Sequence, residues 1–361
     1  MNESGDDQLV ATAQTKLTEL RTRLSMYLVD SSKITTAKGL PAVQASDTAI
    51  TSGMLASNLV NAVIIDNRLG GFVGNGGIAS GDIFQKYGAW VKGTYTNGQQ
   101  KTFKLEPGYK FDQKGVTIGA DTGDDESTIG IAYSFFKNDI KNKINSSNKE
   151  DITSHIWSIY GLYAFDQNFF ISGHGQCGFS TTKKKRATGD AANNIANAKP
   201  KGNIISGKAT IGYIYDTGAN INLIPTLGIA YNDVKVKGYK ETGNGLNRTV
   251  GKRSATRTSG LAGISAKYNA DMNESTKIVP EIHANIDYAF NTKHSSTAIT
   301  ILNGLDPIVT PAAKLSKAHY TVGASVMVTS SEKFDITGGY DLGLSKKFMS
   351  HTGTVKVRIN F

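Results

Sequence analysis

From about residue 82 to the last residue, apolar and polar positions alternate with a period of two. Successive side chains of an extended strand point to opposite faces, so each run defines one apolar face and one small or polar face. Ile129, Ile131, Tyr133 and Phe135 oppose Gly130, Ala132 and Ser134. Ile221, Leu223, Pro225, Leu227, Ile229 and Tyr231 oppose Asn222, Thr226, Gly228, Ala230 and Asn232. Ile282, Ala284, Ile286, Tyr288 and Phe290 oppose Glu281, His283, Asn285 and Asp287. Phe334, Ile336, Gly338, Tyr340, Leu342 and Leu344 oppose Asp335, Thr337, Gly339, Asp341 and Gly343, and Val355, Val357, Ile359 and Phe361 oppose Thr354, Lys356, Arg358 and Asn360. The stretch 155–165 is ambiguous, because both of its faces carry large apolar or aromatic side chains. The pattern predicts about twelve strands between Tyr87 and Phe361, an even number.

Upstream the period lengthens. Leu17, Leu20, Leu24 and Leu28 are spaced for a short amphipathic helix, and Gly39 and Pro41 break the chain after it. A second helix is predicted over 47–70, with Ser46 or Asp47 at its N-cap and Gly70 and Gly71 at its end. At 1.5 Å per residue its body is roughly 30 Å long, the thickness of a bilayer core. Met54, Leu55, Leu59, Val60, Val63 and Ile64 are mixed with Thr51, Ser52, Ser57, Asn58 and Asn61, while Gly53, Ala56 and Ala62 keep the helix thin. The chain thus divides into a linker, 1–46, a helix, 47–70, and an all-β domain, 78–361.

Alternation alone leaves open a soluble sandwich, with its polar face in water and its apolar face in a core. Three features favour an antiparallel transmembrane barrel. Aromatic residues recur toward strand ends (Tyr87, Tyr95, Tyr213, Tyr215, Tyr231, Tyr268, Tyr288, Phe290), as interfacial girdles do. The opposite face is rich in Gly, Ser and Thr, which suits a filled lumen. Short turns near 123–125, 166–168, 216–220, 271–275 and 330–332 alternate with long polar loops near 96–107, 137–151, 181–203, 232–254 and 292–314, the habit of bacterial outer-membrane barrels.

Composition agrees. Glycine is high at 39 of 361 residues and proline low at 7, and the mean hydropathy is −0.27. The longest mostly apolar stretch, 59–65, is far short of the roughly 18 to 20 residues of a membrane-spanning helix, so helical spans are excluded. The single cysteine, Cys177, excludes an intrachain disulfide framework and reads as an inert apolar residue. The net charge of +10 is compatible with nucleic acid, anionic lipid or solubility. Its tightest run, Lys183-Lys184-Lys185-Arg186, lacks interleaved aromatics and reads as a solvated loop that touches anionic headgroups rather than nucleic acid. The first residues, Met1-Asn2-Glu3-Ser4-Gly5-Asp6-Asp7, form no secretory signal, so the expectation is a fragment of a longer polypeptide.

Chemical motifs are weak. Gly74-Asn75-Gly76-Gly77-Ile78-Ala79 fits a dinucleotide fingerprint but follows a helix and precedes a strand, the reverse of what that site needs, so it reads as a flexible connector. Val250-Gly251-Lys252-Arg253 has Leu246 where a phosphate loop needs its first glycine, and reads as a loop. No histidine sits at metal-ligand spacing; His155, His174, His283 and His319 read as lumen or strand-end residues. No nucleophile elbow is visible, and Asp124 and Asp125 fall in a short turn away from any outer-rim protease site. Neither a catalytic centre, a metal nor a cofactor is expected.

The terminal Val355, Val357, Ile359 and Phe361 resemble the signature by which outer-membrane barrels are recognised by their assembly machinery. A pore-length helix directly before about twelve strands resembles the translocator of autotransporters. Tyr87-Gly88-Ala89-Trp90-Val91, Ser158-Ile159-Tyr160-Gly161-Leu162-Tyr163, Lys237-Gly238-Tyr239-Lys240-Glu241-Thr242-Gly243 and Val355-Lys356-Val357-Arg358-Ile359-Asn360-Phe361 are similar to the rickettsial surface-cell-antigen autotransporters. This resemblance covers about 47–361. It implies type V secretion: an outer-membrane barrel, monomeric, that exports and anchors an N-terminal passenger, often an adhesin or invasion factor.

On this reading Met54, Leu55, Asn58 and Asn61 belong to the helix in the pore. Glu281, Asp287, Asp335, Asp341, Lys356 and Arg358 line the lumen, and Val355, Val357, Ile359 and Phe361 face lipid. Some autotransporters free their passenger by asparagine cyclisation within the pore. Asn58 and Asn61, one turn apart, are candidates for that chemistry, and the alternative reading is that both hydrogen-bond the polar wall. Two rival functions are a diffusion porin and an adhesin whose long basic loops bind host surfaces.

Overall fold

The structure, a computed structural model, describes residues 41–73, 87–102, 108–124, 126–143, 147–165, 168–188, 194–243, 247–273, 276–300, 308–310, 316–330 and 333–361. Twelve long strands form the wall. They are β1 (Tyr87–Gln100), β2 (Tyr109–Gly123), β3 (Ser127–Asn142), β4 (Lys149–Ala164), β5 (Phe169–Ala187), β6 (Lys201–Tyr213), β7 (Ile221–Val236), β8 (Arg253–Tyr268), β9 (Thr276–His294), β10 (Ala318–Ser330), β11 (Phe334–Ser345) and β12 (Phe348–Asn360). Each pairs antiparallel with the next. β12 then returns to β1, from Gly88 opposite Asn360 to Gln100 opposite Phe348. The wall is therefore a closed cylinder without a free long edge, which is what strands need in order to sit in hydrocarbon.

The two faces separate as the alternation predicts. Ile118, Ile131, Ile159, Leu227, Ile282 and Ile336 are exposed on the outside. Outward aromatics gather at two levels. Phe135, His155, Trp157 and Phe179 pack together toward one mouth, and Phe165, Phe169 and Tyr213 toward the other. His155 thus lies outside, bonded to the Tyr133 hydroxyl at 2.6 Å, whereas His174, His283 and His319 line the cavity inside. Cys177 is exposed on the outer face. No helix among the described residues is long and apolar enough to cross a membrane.

Connections alternate between the mouths. One mouth carries the turns 124–126, 165–168, 214–220, 269–275 and 331–333, and the other carries 101–108, 143–148, 188–200, 237–252 and 295–317. At the first of the short turns, Asp124 accepts hydrogen bonds from the backbone N–H groups of Ser127 (2.6 Å) and Glu126 (3.1 Å). These bonds, led by that of Ser127, hold its carboxyl below the usual carboxylate range. One connection at the long-loop mouth departs from the pattern: β11 turns into β12 over 346–347, with Lys347 at φ 61°.

Several expectations need correction. The described helix runs from Pro41 to Gly70, so Ser46 and Asp47 lie within it rather than at its N-cap. Lys183-Lys184-Lys185-Arg186 is strand, not loop, because β5 continues above the outer aromatics and pairs there with Ile195–Ala198. Alternation then turns Lys184 and Arg186 inward, where Arg186 meets Glu241 at 2.6 Å, and leaves Lys183 and Lys185 outside. Strands also extend further than expected into 137–151 and 181–203, which shortens those loops. Val250 and Arg253 belong to strands, with only 251–252 between them. The leucine-spaced segment of Leu17 to Leu28, the glycine-rich motif at 74–79 and Asp125 lie outside the described residues.

The ambiguity of 155–165 has a physical cause. Ile152, Ile156, Tyr160 and Leu162 point inward and are buried, while Trp157, Ile159 and Tyr163 face out, so β4 is apolar on both sides because something apolar covers its inner face. Ile159 lies at mid-wall, 66% exposed. Ile159→Arg is expected to cost about 2–4 kcal/mol of unfolding free energy in lipid vesicles, and Thr153→Arg nearer the rim only about 0–1 kcal/mol; chemical denaturation of the reconstituted barrels measures both.

Candidate functional site

The cover on β4 is a helix, α1 (Pro41–Gly70), which runs through the bore. Its direction follows from its contacts. Gly53 lies against Ile140 and Ile152, near the long-loop mouth, and Arg68 meets Asp121 near the short-turn mouth, where β1 also begins. A helix with one apolar stripe would suit a surface; α1 is instead buried on several sides at once, with Ile50, Met54, Leu55, Ile64, Ile65 and Leu69 all in the core. It leans on β3 to β7.

The wall accommodates it by pairing small with large. At Gly53 an added Cβ would stand 2.5 and 2.6 Å from the Cδ1 atoms of Ile140 and Ile152, so a larger residue there requires those two side-chain ends to shift. Within the wall, the inward rings of Trp90 and Tyr160 lie over Gly119 and Gly130, which explains part of the glycine content of the inner face.

Polar groups of the helix find partners layer by layer. The Ser57 hydroxyl donates to Gln113 Oε1 at 3.1 Å. Asn58 Nδ2 donates to Asn232 Oδ1 at 2.7 Å, and its Oδ1 accepts from Ser206 Oγ at 3.0 Å. Asn61 Nδ2 donates to Ser158 Oγ at 3.0 Å, and its Oδ1 accepts from Ser134 Oγ at 2.5 Å. Both amides are fully buried, and a buried amide must be hydrogen-bonded on both sides or carry a penalty of order 1–3 kcal/mol.

Charges fix the lower end. Arg68 grips Asp121 with Nε and Nη2, each at 2.7 Å, the two-pronged geometry that suits a guanidinium. Asp121 also accepts from Arg358 at 2.9 Å and from the Tyr160 hydroxyl at 2.8 Å, and Tyr160 in turn accepts from Trp90 Nε1 at 2.8 Å. The Arg68 guanidinium stacks 3.8 Å from the centre of the Phe72 ring. Asp66 is held by Lys208 at 2.7 Å, with His174 at 3.5 Å. Lys267 Nζ donates to the backbone carbonyls of Gly70 and Val73, the latter at 2.7 Å, placing a cation at the negative end of the helix dipole.

Of the residues picked from the sequence, Met54, Leu55, Asn58 and Asn61 are all buried against the wall. Neither asparagine side chain hydrogen-bonds a carboxylate or a histidine among the described residues. Glu281, Asp287, Asp335, Asp341, Lys356 and Arg358 all point inward, but only Arg358 joins the network that holds α1. Asp287 pairs with Arg257 at 2.7 Å, Asp341 with His283 at 2.7 Å, Glu281 with Lys267 at 3.8 Å, and Asp335 with Arg358 at 3.7 Å. Val355, Ile359 and Phe361 are exposed on the outer face, with Val357 half-buried beside them. Sequence reading passed over Asp121, Trp90, Tyr160, Lys208 and Lys267. The available signal was a basic residue, Arg68, in the last helical turn and an acid at an inward position of β2.

Beside the helix a cavity of about 440 Å³ remains, bounded in part by Lys92, Lys267, Glu281, His283, Asp341 and Lys356. Among the described residues no three His, Cys, Asp or Glu side chains are grouped to hold a metal ion. The arrangement is thus a plugged bore, with a helix keyed to its wall by size, amide pairing and charge.

Residues 89–341 match the family model described as the autotransporter beta-domain. Outer membrane protein A of Rickettsia conorii is 34% identical over 337 residues, covering 88% of this chain and 16% of that protein. Outer membrane protein B of the same organism is 29% identical over 284 residues, covering 76% of this chain and 17% of that protein. The chain therefore spans about a sixth of the length of these curated relatives. Among solved structures, the translocator domain of the autotransporter NalP from Neisseria meningitidis superposes with a TM-score of 0.62 at 17% identity, over 85% of this chain and 98% of that one. The beta domain of the Bordetella autotransporter BrkA gives 0.56 at 12% identity, over 76% and 100%.

Asp121 is the acid shared by helix and wall. Asp121→Ala leaves Arg68 without its counter-charge and facing Arg358, whose remaining acid is Asp335 at 3.7 Å, and is expected to cost about 3–5 kcal/mol. The loss would appear as a lowered midpoint for the heat-dependent gel shift of the folded barrel; an unchanged midpoint would contradict the role given to this pair.

Proposed function

Because the chain belongs to the autotransporter beta-domain family and is an outer-membrane translocator domain of type V secretion, we propose that it carries an N-terminal passenger outward through its bore and keeps the last passenger segment, α1, as the anchor. The observation that carries this reading is the helix itself, whose N-terminal end is directed to the long-loop mouth while its C-terminal end is tied to the wall at the opposite mouth. A chain threaded in this sense presents everything upstream of Pro41 to the cell exterior. The passenger is an adhesin or surface antigen, and the chain works as a non-enzymatic carrier.

The partners of this reading are lipid, the barrel assembly machinery and the passenger. Lys110, Lys114, Lys137, Lys141, Lys183 and Lys185 are exposed toward the long-loop end of β2, β3 and β5, where cations suit anionic headgroups. Val355, Val357, Ile359 and Phe361 form the strip offered to the assembly machinery. A diffusion porin accords poorly with a bore holding a keyed helix. A loop-borne adhesin draws little support from loops 237–252 and 295–317, which pair with one another through four short strands.

The test is a reporter domain fused upstream of Pro41. Protease added to intact cells should remove the reporter and leave the barrel; a reporter retained inside while the barrel inserts normally would contradict export by this route.

We assign Asn58 and Asn61 to anchoring, on the strength of their four wall hydrogen bonds. The folded chain is then expected to keep its full mass, alike in wild type and Asn58→Ala. A cleavage on folding that Asn58→Ala abolishes would instead establish cyclisation.

A further inference from the structure

Most charges in the bore are matched. Arg68 and Arg358 share Asp121, Lys208 holds Asp66, Lys267 faces Glu281, and Arg257 holds Asp287. Lys92 on β1 and Lys356 on β12 are different. They stand directly opposite each other across the seam that closes the cylinder, are 3% and 5% exposed, and both border the cavity beside α1. Among the described residues neither ammonium has a hydrogen bond or an ion pair. The acids that face Lys92 are Asp341, Asp66 and Glu281, and these are engaged by His283, Lys208 and Lys267. The acids that face Lys356 are Asp335, which is bonded to Thr329 and lies 3.7 Å from Arg358, and Glu281, which is engaged by Lys267.

One hydroxyl extends this row across the sheet and another lies beside it in the next row along β1. Thr337 is opposite Lys356 on β11, and Thr94 follows Lys92 on the inner face of β1. The Oγ1 atoms of both are buried without a hydrogen-bond partner, and both residues border the same cavity. Like charges directly opposite in a sheet repel, and a buried ammonium without a counter-charge is costly. An anion held in the cavity against the two ammonium groups relieves both penalties, with a neighbouring hydroxyl on either side available as a further donor.

We propose that Lys92, Lys356, Thr94 and Thr337 form an anion-binding site in the bore, whose ligand is an oxyanion of the carboxylate or phosphate class. These two ammonium and two hydroxyl donors border one side of the cavity, away from the wall sector on which α1 leans, so the site is open with the helix in place. The ligand comes either from solution, as a free oxyanion, or from an acidic side chain of a polypeptide segment within the bore. The proposal stands apart from the export reading, since it concerns the plugged barrel at rest.

The experiment is calorimetric titration of the full chain, folded in detergent, at constant ionic strength, with inorganic phosphate and separately with an oligoglutamate peptide. Saturable binding is expected, weakened about tenfold or more by Lys92→Met or Lys356→Met, because each removes a charged donor. The pair Thr94→Val with Thr337→Val should weaken it less while preserving the shape of the wall, and covers the case in which a lysine variant does not fold; the heat-dependent gel shift reports folding. Binding of phosphate alone identifies a free oxyanion, and binding of the peptide alone identifies a polypeptide carboxylate. No binding of either probe to the wild type, or binding undiminished in folded variants, overturns the proposal.

Discussion

The pairing of β12 with β1 is the constraint on which the remaining architecture rests. In hydrocarbon a backbone N–H or C=O without a partner costs several kcal/mol, and water is not there to supply one. Every strand must therefore be flanked by two others, and the terminal strands can satisfy that only by meeting. Closure dictates the outward Ile and Val residues, which face lipid, and it creates an interior that belongs to neither lipid nor bulk water. What fills that interior decides which inner faces are polar and which apolar.

The helix answers this requirement in sectors. Where α1 leans on β3 and β4, the wall offers Ile140, Ile152 and Ile156, and where amides and hydroxyls of the helix approach, it offers Gln113, Ser134, Ser158, Ser206 and Asn232. The ion pairs of Asp121 with Arg68 and Arg358 are enclosed, so their strength depends on geometry rather than on salt. Arg68 and Asp121 meet in a two-pronged contact, and the surplus acceptor capacity of Asp121 is used by Arg358 and Tyr160. The side of the bore away from the helix has no such filler, and its charges mostly pair with each other along the wall.

Legibility in the sequence followed the same division. The strands of β7, β9, β11 and β12 were plain, because one side meets lipid and the other a polar interior, and a period of two records that contrast directly. β4 was not, because contact with α1 makes its inner face as apolar as its outer one. The upper end of β5 was misread as a loop because four consecutive basic residues hide an alternation in which Lys184 and Arg186 are inside and Lys183 and Lys185 outside. Inward positions such as Glu281 and Arg358 were readable from parity alone. The Asp121 network was not, since it joins β1, β2, β4, β12 and α1, and no local pattern reports a contact between residues as far apart as Asp121 and Arg358.

Gly53 carries a consequence for the register of the helix in the bore. It is a residue of α1 that sits where a methyl group would collide with Ile140 and Ile152, and its neighbour Met54 lies over Gly202. Slide the helix by one residue and Met54 or Ser52 would enter that gap; rotate it and the amides of Asn58 and Asn61 would lose their wall partners. The helix is thus keyed along the bore by a close fit at Gly53 and by paired amides one and two turns further on, and a slip of one residue disturbs both at once.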